Sequence, residues 1–211
     1  MKHKVTCEPL SRASFQPYGS VICPDDEVGL LNDQYRNANQ GTAVKLINVC
    51  NIVRDEVHGG STPNLNLFRC FSNPELQKCS LQDTSSSLNH AIKILEKHPF
   101  SSQTFLPLGG ATQEYAYLIV VALPSQNGHG KDLGPDLSTL KAFICKGNQA
   151  VTYGKGIWHA PMIVVGKRDY IDFAVLIYET LDPTKPELDC IERNYNTEET
   201  EIVVSLFNFT M

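Results

Sequence analysis

The apolar residues of this chain come in short bursts, none long enough to build a long helix or a membrane span. The longest, around Ala116–Leu123, falls well below the roughly 18 to 20 residues that cross a bilayer. Polar stretches carrying Gly and Pro separate each burst from the next, and 12 Pro and 14 Gly supply the punctuation. A mainly β chain is written this way. Tyr115–Leu123, β-branched and aromatic, reads as a central strand. Leu140–Cys145, Gln149–Tyr153, Trp158–Val165 and Tyr170–Glu179 read as further strands, broken at Lys146-Gly147-Asn148, Gly154-Lys155-Gly156 and Gly166-Lys167-Arg168-Asp169. Earlier in the chain Val5–Leu10, Tyr18–Cys23, Val44–Val53 and Leu65–Phe71 read the same way. Between the first two, Ser11 caps a short helical turn that buries Phe15. Pro24–Gly41 and Asn73–Ser87 read as polar connections. This rhythm favours an antiparallel β-barrel or sandwich with a few short helices.

The 211 residues suffice for one domain spanning 1–211 with a sizeable core. Beyond Thr180 the chain turns acidic and proline-bearing, so 181–211 is expected as a C-terminal extension that wraps the domain or reaches a partner subunit. The 18 Lys and Arg stand against 23 Asp and Glu, and the net charge of -5 argues against binding nucleic-acid phosphates or an anionic membrane. A small-molecule partner is expected. The N-terminus meets Glu8 before any apolar stretch, so no secretory signal is expected. The 7 cysteines are odd in number and form no CxxC pair, which suggests reduced thiols in a cytoplasmic protein.

Leu88–His98 fits a helix stripe (Leu88, Ala91, Ile92, Leu95) or a strand face (His90, Ile92, Ile94, Glu96, His98). The strand is favoured because Pro99 ends the segment at once and a β-like run, Gln103–Pro107, follows Ser101-Ser102. Glu96 and His98 then project together, with Gln103 returning across the turn. A second hairpin, Gln149–Val165, turns at Gly154-Lys155-Gly156 and presents His159. The layout resembles the two cupin motifs, with Glu96-Lys97-His98 and Gln103 for the first and Gly154-Lys155-Gly156-Ile157-Trp158-His159 for the second. Glu96, His98 and His159 form a candidate ligand set for a divalent transition metal, with Gln103 a poor ligand where a carboxylate is usual. The plainer alternative makes them satisfied polar side chains of a barrel, since imidazole bonds well to backbone. His3, His58, His90 and His129 read as solvated or structural, and Cys145 has no His beside it to make it a nucleophile. Asp136 can cap the turn Gly134–Lys141, or that turn and Lys141 can hold an anion; Lys93 and Arg69 are further cations that alternation could aim inward.

Three runs carry a closer resemblance: His98-Pro99-Phe100-Ser101-Ser102-Gln103-Thr104-Phe105-Leu106-Pro107-Leu108-Gly109, Pro135-Asp136-Leu137-Ser138-Thr139-Leu140-Lys141-Ala142-Phe143, and Gly156-Ile157-Trp158-His159-Ala160-Pro161. The chain resembles the ureidoglycolate lyase family. Asn66-Leu67-Phe68-Arg69-Cys70-Phe71, Ala160 in the Trp158–Pro161 run, and the Asp182-Pro183 extension resemble its fungal branch. The resemblance implies a cupin-like barrel, a homodimer, and the splitting of ureidoglycolate into glyoxylate and urea late in allantoin breakdown. It also implies nickel for bacterial members. These carry Trp-His-His-Pro where this chain has Ala160, so no metal role passes to that position.

Such a cleavage is an elimination in which the hydroxyl loses a proton, the leaving urea nitrogen gains one, and no redox cofactor is needed. On that expectation His98 or His159 is the base and Glu96 its partner or the acid. Lys141, with Lys93 second, would clamp the substrate carboxylate, Gln103 would read the urea group, and Tyr153 is a reserve donor. The rival readings are an amidohydrolase releasing ammonia from the same substrate and a non-catalytic cupin that binds a small acid.

Overall fold

The computed structural model describes residues 1–29, 35–56, 60–77, 88–109, 114–126, 133–195 and 200–206. His58, Cys79, Ser85–Ser87 and His129 lie outside them. In chain order the strands are β1 (Lys2–Pro9), β2 (Gly19–Ile22), β3 (Tyr35–Ala38), β4 (Ala43–Leu46), β5 (Thr62–Phe71), β6 (Leu88–Ile92), β7 (Ile94–Lys97), β8 (Gln103–Leu108), β9 (Tyr115–Ala122), β10 (Lys141–Lys146), β11 (Ala150–Tyr153), β12 (Trp158–His159), β13 (Ile163–Val164), β14 (Tyr170–Glu179), β15 (Ile191–Asn194) and β16 (Glu201–Leu206). Three short helices, α1 (Arg12–Phe15), α2 (Pro24–Gly29) and α3 (Pro74–Gln77), complete the expected mainly β architecture among the described residues. Ser11 caps α1 by accepting from the Ser14 amide at 3.2 Å, and Phe15 is fully buried.

Nine strands form a large sheet in the order β15-β7-β12-β9-β10-β1-β16-β6, with β13 also on β9; five form a smaller one in the order β2-β11-β8-β14-β5. Strand β6, at one end of the large order, runs into β7 near the other with only Lys93 between, so the large sheet curls into a half-barrel. Tyr117, Ile119, Val121 and Phe143 face Phe105, Val151, Phe173 and Val175 of the smaller sheet. Leu118, Val120, Ile144, Trp158, Ile202 and Val204 pack on the other side, inside the curl. Strand β9 is therefore buried on both faces, which is why its sequence is apolar without alternation. Edge-to-face rings, Tyr117 on Phe173 at 5.2 Å and Phe105 on Phe173 at 5.8 Å, join the sheets.

Several expectations change. The pairings of β1 with β10 and with β16 are parallel, in a fold read as antiparallel. Val44–Val53 keeps strand structure only to Leu46. Leu88–His98 is two strands, not one: the break at Lys93 shifts parity, so Ile92 and Leu95 share the curl's interior and Glu96 faces the opposite way from Ile92. Neither proposed hairpin forms. β7 lies in the large sheet and β8 in the smaller, and β11 lies in the smaller and β12 in the large, so both turns are arches crossing from sheet to sheet. Residues 181–211 supply β15, which pairs with β7, and β16, which inserts between β1 and β6 with Ile202 and Val204 fully buried.

Candidate functional site

The two arches meet at one end of the space between the sheets. One carries His98 from β7 to β8; the other runs through Gly154–Ile157 into β12. Gly156 donates its N–H to the carbonyl of His98 at 2.9 Å and takes a φ of 74°, which glycine adopts at little cost. Register then sets the side chains. His159 sits opposite Glu96 across β12 and β7, and Tyr153 sits opposite Gln103 across β11 and β8. Residues opposite one another point to one face, so two pairs from two sheets converge.

His159 is the hub. Its Nδ1 lies 3.0 Å from the Ile157 carbonyl, and its Nε2 lies 3.2 Å from Gln103 Oε1 and 3.5 Å from Glu96 Oε1. Every neighbour is an acceptor, so the ring donates at both nitrogens when protonated. The Tyr153 ring stacks on it, centroids 4.0 Å apart and planes 13° from parallel. Burial pushes the Tyr153 phenol well up, so it stays protonated, and its hydroxyl is buried with no partner among the described residues.

His98 is built differently. Its Nδ1 donates to the Asp189 carbonyl at 2.7 Å, which leaves Nε2 as a lone pair that is buried and unpartnered among the described residues. Burial, then the charge of His159, holds this imidazole below its ordinary value; the Asp189 bond, Glu96 and Glu179 oppose them and lose. Burial alone would raise Glu96, but the His159 hydrogen bond and the charges of His159 and His98 outweigh it and hold the carboxyl low. Glu96, with 20% of its side chain exposed against 2% for His159, is where this cluster opens to solvent. One donor atom from each of Glu96, His98 and His159 falls within 4.8 Å of the others. Two imidazoles and a carboxylate suit a divalent transition metal, and the orphaned Nε2 of His98 fits that use.

The sequence model of the ureidoglycolate lyase family matches residues 2–203. Among similar proteins are a ureidoglycolate lyase of Saccharomyces cerevisiae, 48% identical over 95% of this chain and 98% of its own length, and one of Schizosaccharomyces pombe, 34% identical over 78% and 80%. One from Burkholderia mallei is 34% identical over 82% of this chain and 81% of its own. The chain belongs to the ureidoglycolate lyase family.

In this ureidoglycolate lyase family member the structure brings together Glu96, His98, Gln103, His159 and Tyr153. Lys141 shares the His159 face of the large sheet, since both lie opposite Val121, but neither its amine nor that of Lys93 bonds any of these five side chains. Lys141 is half-exposed at the start of β10, its amine 3.5 Å from Glu8. Lys93 is exposed at the break between β6 and β7 and lines a separate cleft of about 290 Å³ with His90, Asn73 and Met162. Arg69 points outward in an ion pair with Asp172 at 2.8 Å. Asp136 caps its turn, accepting from the Ser138 amide at 3.0 Å. Sequence reasoning missed Asp189, which orients His98 from 91 residues away, and the trio Asn64, Asn66 and Glu179. The alternation Asn64-Leu65-Asn66-Leu67 was a usable signal for part of that trio, since it puts amides on the face shared with Phe68 and Cys70. Nothing local marks Asp189.

Proposed function

We propose that this chain is a ureidoglycolate lyase that eliminates urea from ureidoglycolate to leave glyoxylate, a step of allantoin degradation, and that Glu96, His98 and His159 carry the chemistry. The observation behind it is the asymmetry of the two imidazoles. The lone pair at His98 Nε2 is free to take the proton of the substrate hydroxyl. As the carbon–nitrogen bond breaks and the carbonyl of glyoxylate forms, His159, held among acceptors and partnered by Glu96, gives its Nε2 proton to the departing urea nitrogen. Tyr153 fixes the plane of that ring and stands as reserve donor; Gln103 orients it from the opposite sheet. Lys141 and Lys93 receive no part.

A second reading uses the same three side chains as ligands of a divalent ion, nickel by family resemblance, supported by the clustering of their donor atoms. When bound, such an ion would act as a Lewis acid toward the substrate's hydroxyl and carboxylate. The two readings exclude one another at His98 Nε2, which cannot hold an ion and accept a proton at once. One experiment covers both: incubate chelator-treated protein with racemic ureidoglycolate, with and without added divalent ions, and quantify glyoxylate, urea and ammonia. Equal glyoxylate and urea without ions supports the acid–base reading; activity only with a restored ion supports the second. Ammonia without urea would make the enzyme an amidohydrolase, and no turnover a binding protein.

The same proposal includes a homodimer and a cytoplasmic location. The outer face of the smaller sheet leaves Leu65, Leu67, Phe71 and Leu108 exposed at 73, 68, 72 and 50%, an apolar surface of the kind that pairs with a copy of itself. Leu67→Glu is expected to turn dimer into monomer in analytical ultracentrifugation; a wild-type monomer overturns that part. Six described cysteines are free thiols, in keeping with a reducing compartment. No helix among the described residues is long and apolar enough to cross a membrane.

A further inference from the structure

We infer that Glu179, held by Asn64 and Asn66, is the subsite that reads the ureido group. The inference rests on the lyase reading above. Asn64 and Asn66 lie on β5, opposite Ile177 and Val175 of β14, and so share the face of β14 that looks into the space between the sheets. Glu179, two residues beyond Ile177, is on that face too. Ile177 is opposite Gln103, which touches His159. Thr180, the next residue, donates its N–H to the carboxylate of Asp189 at 2.6 Å, and the carbonyl of Asp189 holds His98. Glu179 is therefore placed beside the cluster from two directions, and its charge reaches His98.

The hydrogen bonding is lopsided. Asn64 Nδ2 and Asn66 Nδ2 both donate to Glu179 Oε2, each at 3.1 Å, while Oε1 accepts nothing among the described residues. No cation pairs with this carboxylate among them. Two amides thus fix a half-buried anion with one oxygen left over, together with the amide oxygens of both asparagines. A ureido group offers the complement: N–H donors on both nitrogens, presented in a plane, and no charge. The other end of the substrate is a carboxylate, which Glu179 repels. Attraction at one end and repulsion at the other impose a single orientation, the ureido nitrogens toward Glu179 and the carboxylate away from it.

The test separates the two ends of the substrate by product inhibition. Urea and glyoxylate are used singly as inhibitors of the wild-type enzyme, of Glu179→Gln and of Asn66→Ala, with circular dichroism confirming folding. Glu179→Gln keeps the shape but exchanges an acceptor for a donor, so the inhibition constant for urea is expected to rise about tenfold or more, with that for glyoxylate within about twofold of wild type. Asn66→Ala, which loosens the carboxylate without removing it, should raise the urea constant by about threefold. Equal changes for both inhibitors, or none for either, would overturn the inference. Wild-type protein that releases no urea would instead defeat the lyase reading itself, so the two failures are distinguishable.

Discussion

The two arches do the same job by different means. The His159 arch is self-contained: the carbonyl that fixes its ring belongs to Ile157, two residues away, and its stacking partner Tyr153 begins the same turn. The His98 arch borrows its carbonyl from Asp189, whose carboxylate is in turn clasped by the Thr180 amide, the Thr180 hydroxyl and the Leu181 amide at 2.6, 2.9 and 2.8 Å. One imidazole is set by local chain geometry and the other by a distant segment. The first kind of placement survives as long as the turn folds; the second is exposed to any change that shifts residues 180–189.

The largest expected effects remove the rings. His98→Ala and His159→Ala should each lower kcat/KM by about 10² to 10⁴-fold, read by coupled detection of glyoxylate; near-normal activity in both would discard the proposed roles. Asp189→Ala should sharpen the contrast. It should cost about 1 to 3 kcal/mol of stability in thermal or guanidinium melts and lower kcat/KM about tenfold. It should add little to His98→Ala while adding fully to His159→Ala, as a double-mutant cycle would reveal.

Acid should act on the same difference. His98 titrates below its ordinary value of 6.5, so in chelator-treated enzyme kcat/KM should persist below that pH and fall only lower, as Nε2 takes up a proton. Stability should move the other way over that interval. The unfolded chain protonates this histidine first, so the folded state loses ground as pH falls beneath 6.5, and the depressed Glu96 adds a further loss once pH falls beneath 4.5. Melting curves from pH 8 to pH 4 would check the sign. Smallest of all, Lys141→Ala and Lys93→Ala should leave kcat/KM within about twofold, because the Lys141 amine is paired with Glu8 and Lys93 lines a separate cleft.

Strand alternation and turn residues made most of the smaller sheet and the centre of the large one legible, because these are local signals: β9, β10, β11 and β14 all lie where the apolar runs stop and the Gly-bearing turns begin. Glu96, His98, Gln103 and His159 were legible too, since motif spacing survives even when the hairpin reading does not. What escaped was the sheet to which each strand belongs. Alternation says which side chains share a face, and it does not distinguish a hairpin from an arch. The parity break at Lys93 was hidden because Ile92 and Ile94 continue the pattern through it. Lys141 lies opposite Val121 and so keeps the inner face by register, but its place at the start of β10 lets a flexible amine reach Glu8.

The seat of β16 bears on how this protein comes into being. Residues 201–205 pair with residues 2–6 on one side and 202–206 pair with β6 on the other, so β1 finds that neighbour only once the chain has been synthesised past β16. Contacts between such remote stretches close slowly and leave partly formed sheets exposed in the meantime. Asp189 also comes late, 91 residues after the His98 that its carbonyl turns. A chain cut short before Asp189 would therefore be left without both the inserted strand and the carbonyl that orients His98, so that folding and the proposed chemistry depend on the same late-made segment.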